Sequence, residues 1–312
     1  MGVRRKGSKN KLSVSIGKLK LDNPVMVASG TFGYGEEYRQ LVNIDKLGAV
    51  VTKSVTLEPY AGNSAPRIWE TTAGMLNAIG LQNEGIDDFI KNKLPEALGY
   101  GTQIIVSIAG KTKKEYSELS KKLNKTQIDA IEINISCPNI EHKSTRRLFA
   151  QDSKATADIV RAVRRNTKKP IIAKLSPNVT DITEIAKAAE KSGADAISLI
   201  NTLLGMEVDI VKREPRLGNL SGGLSGPAIK PIALHMVWQA YQAVKIPIIG
   251  IGGIMNTEDA IEFLLCGASA VQVGTANFVN PNTANDIIDG VSNYLKANNL
   301  KSITDITGKL KT

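Results

Sequence analysis

The stretch PIIGIGGIMNTEDAIEFLLCGASAVQVG (residues 247–274) holds a short apolar run, PIIGIG (247–252), a helical pattern over Thr257–Cys266, and a second apolar run, AVQVG (270–274). Neither run alternates polar with apolar residues, so each reads as a strand buried on both faces. A helix between two such strands reads as a parallel crossover unit. The same unit recurs along the chain. Apolar runs stand at PVMVAS (24–29), AVVTK (49–53), QIIVSIA (103–109), AIEINIS (130–136), PIIAKL (170–175) and AISLIN (196–201), with helical patterns at Ser153–Arg165, Asp181–Ser192 and Gly226–Val244. Eight strand–helix units in 312 residues predict an α/β fold, a closed (β/α)8 TIM barrel of parallel strands. A doubly wound sheet is the rival. It would want a dinucleotide glycine motif, and both Gly33-Tyr34-Gly35 and Gly250-Ile251-Gly252-Gly253 lack the final glycine.

Composition sets the class. Hydrophobic residues make up 42%, charged residues 22% and aromatics 4%, which excludes disorder, collagen and coiled coil. No apolar run reaches the ~20 residues of a membrane span, and the first residues lack the apolar core of a signal peptide. Two cysteines, Cys137 and Cys266, are too few for a disulfide framework or an iron–sulfur cluster. A soluble, cytoplasmic protein is expected. The net charge is +10, from 40 basic and 30 acidic residues; residues 1–20 alone carry seven basic side chains and no acid. This reads as a solvated basic tail over residues 1–11 before one barrel domain at 12–312, with no nucleic-acid motif.

Two connections exceed plain turns: Thr56 to Ile90 after the second strand, and Asn201 to Ser225 after the sixth. Long loops at the C-terminal ends of barrel strands are where sites are built. Strand seven ends in Gly250-Ile251-Gly252-Gly253 and strand eight in Gly274-Thr275, where backbone N–H groups can approach a phosphate. Lys53 and Lys174 stand near the ends of strands two and five. A lysine in an apolar strand is costly unless it meets an anion, so two on one barrel face predict a bound anion. NISCPN (134–139) ends strand four and places the Cys137 thiol at the mouth, where it could serve as nucleophile, metal ligand or base. Cys266, in an apolar helix end, reads as inert core, and His235, in ALHMVWQAY, as a packed helix residue.

Taken together the motifs resemble dihydroorotate dehydrogenases of the cysteine-containing class, in their NAD-linked subclass. The stations are ASGTFGYGEEY (28–38), Thr52-Lys53-Ser54, MLNAIGLQN (75–83), NISCPN (134–139), AKLSPN (173–178), INT (200–202), GGLSGPAIKPIAL (222–234), IGIGGI (249–254) and VGTANF (273–278). The resemblance implies an FMN barrel, one FMN per chain, that oxidises (S)-dihydroorotate to orotate in pyrimidine biosynthesis. Carried over residue by residue, Ser29, Lys53, Ser54, Asn134, Lys174, Ile200, Gly226, Gly252, Gly253, Gly274 and Thr275 would hold FMN. Lys53, Asn77, Ala78, Ile79, Gly80, Leu81, Asn134, Asn139, Asn201 and Thr202 would grip the substrate. Cys137 would be the catalytic base, and Lys53 would share the catalytic role.

The subclass implies a homodimer within a heterotetramer, in which a partner subunit carries FAD and a [2Fe–2S] cluster and passes electrons to NAD. No membrane or nucleic-acid partner is implied. The chain departs from the family pattern at IEHKSTRRLFAQD (140–152), where a glycine-rich loop is usual. His142, Lys143, Arg146 and Arg147 there read as a solvated loop, with electrostatic steering of an anionic substrate as the functional alternative. It also departs at Ser107, where the subclass commonly has an asparagine. The rival activities are the same half-reaction with fumarate or another acceptor, a dihydropyrimidine dehydrogenase-like flavoenzyme, and a phosphate-binding barrel without redox chemistry.

Overall fold

The computed structural model describes residues 11–136 and 149–311. All eight expected barrel strands form: β1 (Val25–Val27), β2 (Ala49–Val51), β3 (Gln103–Ile108), β4 (Ala130–Asn134), β5 (Ile171–Lys174), β6 (Ala196–Leu199), β7 (Ile248–Ile251) and β8 (Ala270–Val273). Each pairs in parallel with the next in the chain, and β8 pairs with β1 to close the barrel.

Side chains alternate along a strand, so every second residue enters the barrel. Met26, Ala49, Val51, Ile105, Ala130, Ile172, Ala196, Ile249 and Ala270 form one buried interior cluster. Two residues further along the same strands come Ala28, Lys53, Ser107, Glu132, Lys174, Ser198, Ile251 and Gln272. The interior is therefore apolar below and mostly polar above. The opposite faces of the strands, with Val25, Val50, Ile104, Ile131, Ile171 and Ile197, pack outward under the ring of helices.

The helices start where the sequence supplies caps. Asp152 accepts from the Ala155 N–H at 2.9 Å ahead of Ser153–Arg164, Asp181 from Thr183 at 2.8 Å ahead of Ile182–Lys191, and Asn256 from Asp259 at 2.9 Å ahead of Thr257–Leu265. The helix expected over 226–244 begins later. Pro227–Ile229 is a 3-10 turn, and the α-helix runs over Lys230–Ala243. Gly226, at φ +95°, is not helical, and Pro227 and Pro231 each open a segment because neither has an N–H to donate. His235 lies exposed on this helix, its ring stacked with Trp238, rather than packed within it. No described helix is long and apolar enough to cross a membrane.

Two features outside the eight units close the barrel's two ends. An N-terminal hairpin, Val14–Ile16 with Leu19–Leu21, turns Ile16, Leu19 and Leu21 into the interior cluster and plugs the barrel at the N-terminal ends of its strands. Just ahead of it, the Lys11 carbonyl accepts from the Ile303 N–H and Lys11 Nζ donates to the Leu300 carbonyl. The rest of the basic tail lies outside the described residues. The second feature is a four-stranded antiparallel sheet at the other end, built from both long connections: Leu203–Gly205, Gly222–Ser225, Gly74–Asn77 and Ile68–Thr71, in that spatial order.

The plug carries a stability prediction. Leu21 is 1% exposed and fills the barrel floor. Leu21→Ala should cost about 2–5 kcal/mol in urea unfolding, the range for a buried leucine truncated in a core that cannot fully collapse. A cost under ~1 kcal/mol would show that the hairpin is not part of the cooperative core.

Candidate active site

Above the polar layer a cavity of about 1120 Å³ opens between the strand ends and the antiparallel sheet. A pocket for one small molecule is typically ~300–1,000 Å³, so this one has room for two molecules side by side. Strand ends supply its floor: Ala28, Lys53, Asn134, Lys174, Ile251 and Gly274. The hairpin 68–77 and the segment 79–81 wall one side, and Ile200 to Thr202 with Ser225 and Gly226 wall another.

The glycine turns make a concave lining. Gly252 and Gly253 sit at φ +126° and +73°, and a Cβ on Gly253 would stand 2.8 Å from the Gly226 carbonyl oxygen and 2.9 Å from the Lys230 nitrogen. Lys230 Nζ donates to Asp259 at 2.6 Å, and Asp259 accepts from the Met255 N–H at 2.8 Å. That clamp draws the turn after β7 against the helix starts behind it. Thr275 Oγ1 donates to Ser225 Oγ at 2.7 Å and closes the same corner.

The two lysines differ in surroundings. Lys174 is 5% exposed; its Nζ donates to Ser29 Oγ at 3.1 Å and lies 3.9 Å from Glu132 Oε1. Lys53 is half-buried at the cavity surface, and among the described residues no carboxylate pairs with it. An ammonium group held in an enclosed, part-apolar cavity without a protein anion is poised for an anion from outside.

The amides are fixed by a chain of hydrogen bonds. Ser54 Oγ and Ser107 Oγ stand 2.8 Å apart, and Asn134 Nδ2 donates to Ser54 Oγ at 2.9 Å. Asn201 Nδ2 donates to Ser136 Oγ at 2.9 Å, and Asn201 Oδ1 accepts from the Thr202 N–H at 2.7 Å. Behind them Asn178 donates to the Thr202 carbonyl at 3.1 Å and accepts from the Leu204 N–H at 2.9 Å. Asn77 donates to the Gly223 carbonyl at 3.3 Å, which ties the two long connections together within the cavity wall. Planar amides held this way present fixed donors and acceptors to a planar polar ring.

Of the expected site residues, Ser29, Lys53, Ser54, Asn77, Ile79, Gly80, Leu81, Asn134, Lys174, Ile200, Asn201, Thr202, Gly226, Gly252, Gly253, Gly274 and Thr275 all line this one cavity. Ala78 does not. Strand alternation turns it, with Leu76, into a small buried cluster against Leu217. Cys137, Asn139 and the segment 140–148, with His142, Lys143, Arg146 and Arg147, lie outside the described residues. Cys266 ends the Thr257–Leu265 helix away from the cavity, and burial with the nearby Glu262 pushes its thiol pKa up, as befits an unreactive side chain. Trp69, Met255 and Ser225 also line the cavity, and Glu132, Ser198 and Gln272 lie buried beneath it, though no local sequence pattern marks them. Arg216 stacks over the Trp69 ring at 4.6 Å and pairs with Asp209, so the wall is braced from outside.

Comparison with known proteins agrees with this geometry. Residues 11–295 match the family model for dihydroorotate dehydrogenase. The chain is 54% identical over 305 residues (97% of this chain, 99% of the relative) to the protein named dihydroorotate dehydrogenase B (NAD(+)), catalytic subunit, of Geotalea daltonii. Proteins of the same name from Geobacter sulfurreducens (55% over 301 residues, covering 96% and 98%) and Alkaliphilus metalliredigens (53% over 303 residues, covering 97% and 100%) are similar to the same extent. Barrel, cavity and matched length together make this chain a member of the dihydroorotate dehydrogenase family.

Proposed function

We propose that this chain is the catalytic subunit of a cytoplasmic, NAD-linked dihydroorotate dehydrogenase that oxidises (S)-dihydroorotate to orotate on bound FMN in pyrimidine biosynthesis. The observation that carries the reading is the pairing, in one cavity, of a glycine cradle with two lysines of different roles. The cradle fits a phosphorylated, planar cofactor. A Cβ on Gly30 would meet nothing within 4 Å, and one on Gly274 only the Ala28 Cβ at 3.7 Å, so both glycines leave open space facing the cavity.

FMN, when bound, supplies the hydride acceptor. The chain's own residues do the rest. Gly252, Gly253, Gly274 and Thr275 would offer backbone N–H groups and a hydroxyl to its phosphate, Ser29, Ser54, Ile200 and Gly226 would line its ring system, and Lys174 would offer positive charge to its reduced, negatively charged form. Lys53, at the cavity surface, would contact the cofactor and take the substrate carboxylate. Asn77, Asn134, Asn139 and Asn201, with Thr202 and the Ile79–Leu81 segment, fix the ring carbonyls and N–H groups. Cys137 removes the proton from C5 while hydride leaves C6.

Electrons then pass to NAD through a partner subunit carrying FAD and a [2Fe–2S] cluster. The name "catalytic subunit" borne by the relatives supports a partner, and two cysteines in this chain cannot supply that cluster. Two copies of the chain pair within the complex. Supporting that, Leu204, Met206, Val208, Ile210, Val211 and Leu220 are exposed apolar side chains on one excursion, Ile210 and Val211 at 84% and 87%.

Anaerobic titration with dihydroorotate should bleach the visible flavin band, whereas dihydrouracil, which lacks the carboxylate for Lys53, should leave it. Cys137→Ser should keep FMN and bind orotate yet reduce the flavin orders of magnitude more slowly at neutral pH, since a hydroxyl is a far weaker base. A chain that cannot be loaded with FMN, or near-normal reduction in the Ser variant, would overturn the cofactor reading or the role of Cys137 respectively. Replacing Ile210 and Val211 together by Asp should convert dimer to monomer in sedimentation. An unchanged sedimentation coefficient would place the dimer contact elsewhere.

A further inference from the structure

Glu132 is the buried carboxylate that the mechanism above leaves without a task. It enters the barrel from β4 at 0% exposure, two residues below Asn134, whose strand partner on β5 is Lys174. Oε2 accepts from Ser198 Oγ of β6 at 3.0 Å and from Gln272 Nε2 of β8 at 3.2 Å. Among the described residues Oε1 has no hydrogen-bond partner; it lies 3.9 Å from Lys174 Nζ, which donates instead to Ser29 Oγ at 3.1 Å. The side chain is thus held by two neutral donors, while its free oxygen meets Lys174 through charge alone. A packing role would be served at lower cost by an apolar or amide side chain in so dry a site, because an ion there must be offset by an opposite charge. Lys174 is that charge. It is sandwiched between Glu132 below and the cavity above, so whatever binds over the floor feels the lysine together with the carboxylate beneath it.

We propose that Glu132 is a positioning residue that sets the reduction potential of the bound flavin by partly cancelling the charge of Lys174. This rests on the reading of the cavity as a flavin site. Lys174 alone favours the reduced, negatively charged cofactor; a fixed carboxylate one layer lower opposes it through a medium of low dielectric. The balance leaves a flavin that substrate can reduce and that still releases its electrons onward. Ser198 and Gln272 hold the carboxylate in place and carry no charge themselves.

The test is the midpoint potential of the FMN-loaded chain, measured against reference dyes during slow anaerobic reduction. Glu132→Gln keeps the shape and removes the charge, and should raise the potential by the equivalent of about tenfold or more in the two-electron equilibrium, ~30 mV. Glu132→Asp keeps the charge but withdraws it from Nζ by a methylene, and should give a smaller rise, so the order is wild type, Asp, Gln. A structural role would disturb the core in both variants without ordering them by charge. A Gln variant at or below the wild-type potential overturns the proposal, and so does a folded Gln variant that no longer retains FMN. If the Gln variant does not fold, an Asp variant at or below wild type overturns it equally. A wild-type chain that takes up no FMN sinks the flavin reading instead, a different result from a yellow protein whose potential ignores residue 132.

Discussion

A closed ring of eight parallel strands satisfies its backbone internally and leaves its side chains two places to go, and this alternation organises the whole molecule. Outward residues must be apolar because helices cover them. Inward residues must be apolar wherever the barrel is sealed. The sequence obeys this strictly at one end, where Ala49, Ala130, Ala196 and Ala270 meet the plug of Ile16, Leu19 and Leu21. Polar residues are admitted only towards the other end, and there they arrive on the same strands, in the same phase. Ala130, Glu132 and Asn134 follow one another into the cavity, as do Ala196, Ser198 and Ile200, or Ala270, Gln272 and Gly274. The site is thus the upper course of the same wall.

That constraint explains what could be read from residues alone. Eight runs of the right length made the barrel legible, and lysines ending two of them marked the floor, since charge in an apolar strand has few tolerable explanations. The same logic does not by itself mark Glu132 within AIEIN, because a lone acid in the middle of a strand names no partner until β5 is known to be its neighbour. The cavity roof was less legible still. Residues 68–77 and 203–225 pair across a long sequence separation, and no local pattern in either announces the other. Ala78 shows the reverse limit: a motif carries five consecutive residues to the site, but alternation lets only some of them face it.

The polar content of the site is held by other polar groups rather than by water-facing freedom. Ser107, Ser54 and Asn134 form one fixed row, Ser136, Asn201 and Thr202 continue it, and Asn178 ties its end to the roof. Ser107 keeps this row connected through a hydroxyl pair of 2.8 Å. Preorganisation of this kind spends the ordering entropy during folding, so substrate meets amides already aimed.

The roof has a consequence of its own. Its central pair, Gly74–Asn77 against Gly222–Ser225, joins two connections that leave the barrel at different strands, with Leu76 opposite Leu224. A one-residue length change near either strand would slip that register and turn the side chains of the shifted strand to its other face. The two connections are therefore bound to vary together across a lineage. Insertions can accumulate at the tip around Ile210 and Val211, the turn of a short separate hairpin pairing Val208–Asp209 with Glu214–Pro215, while the segments crossing the cavity are held to a common ruler.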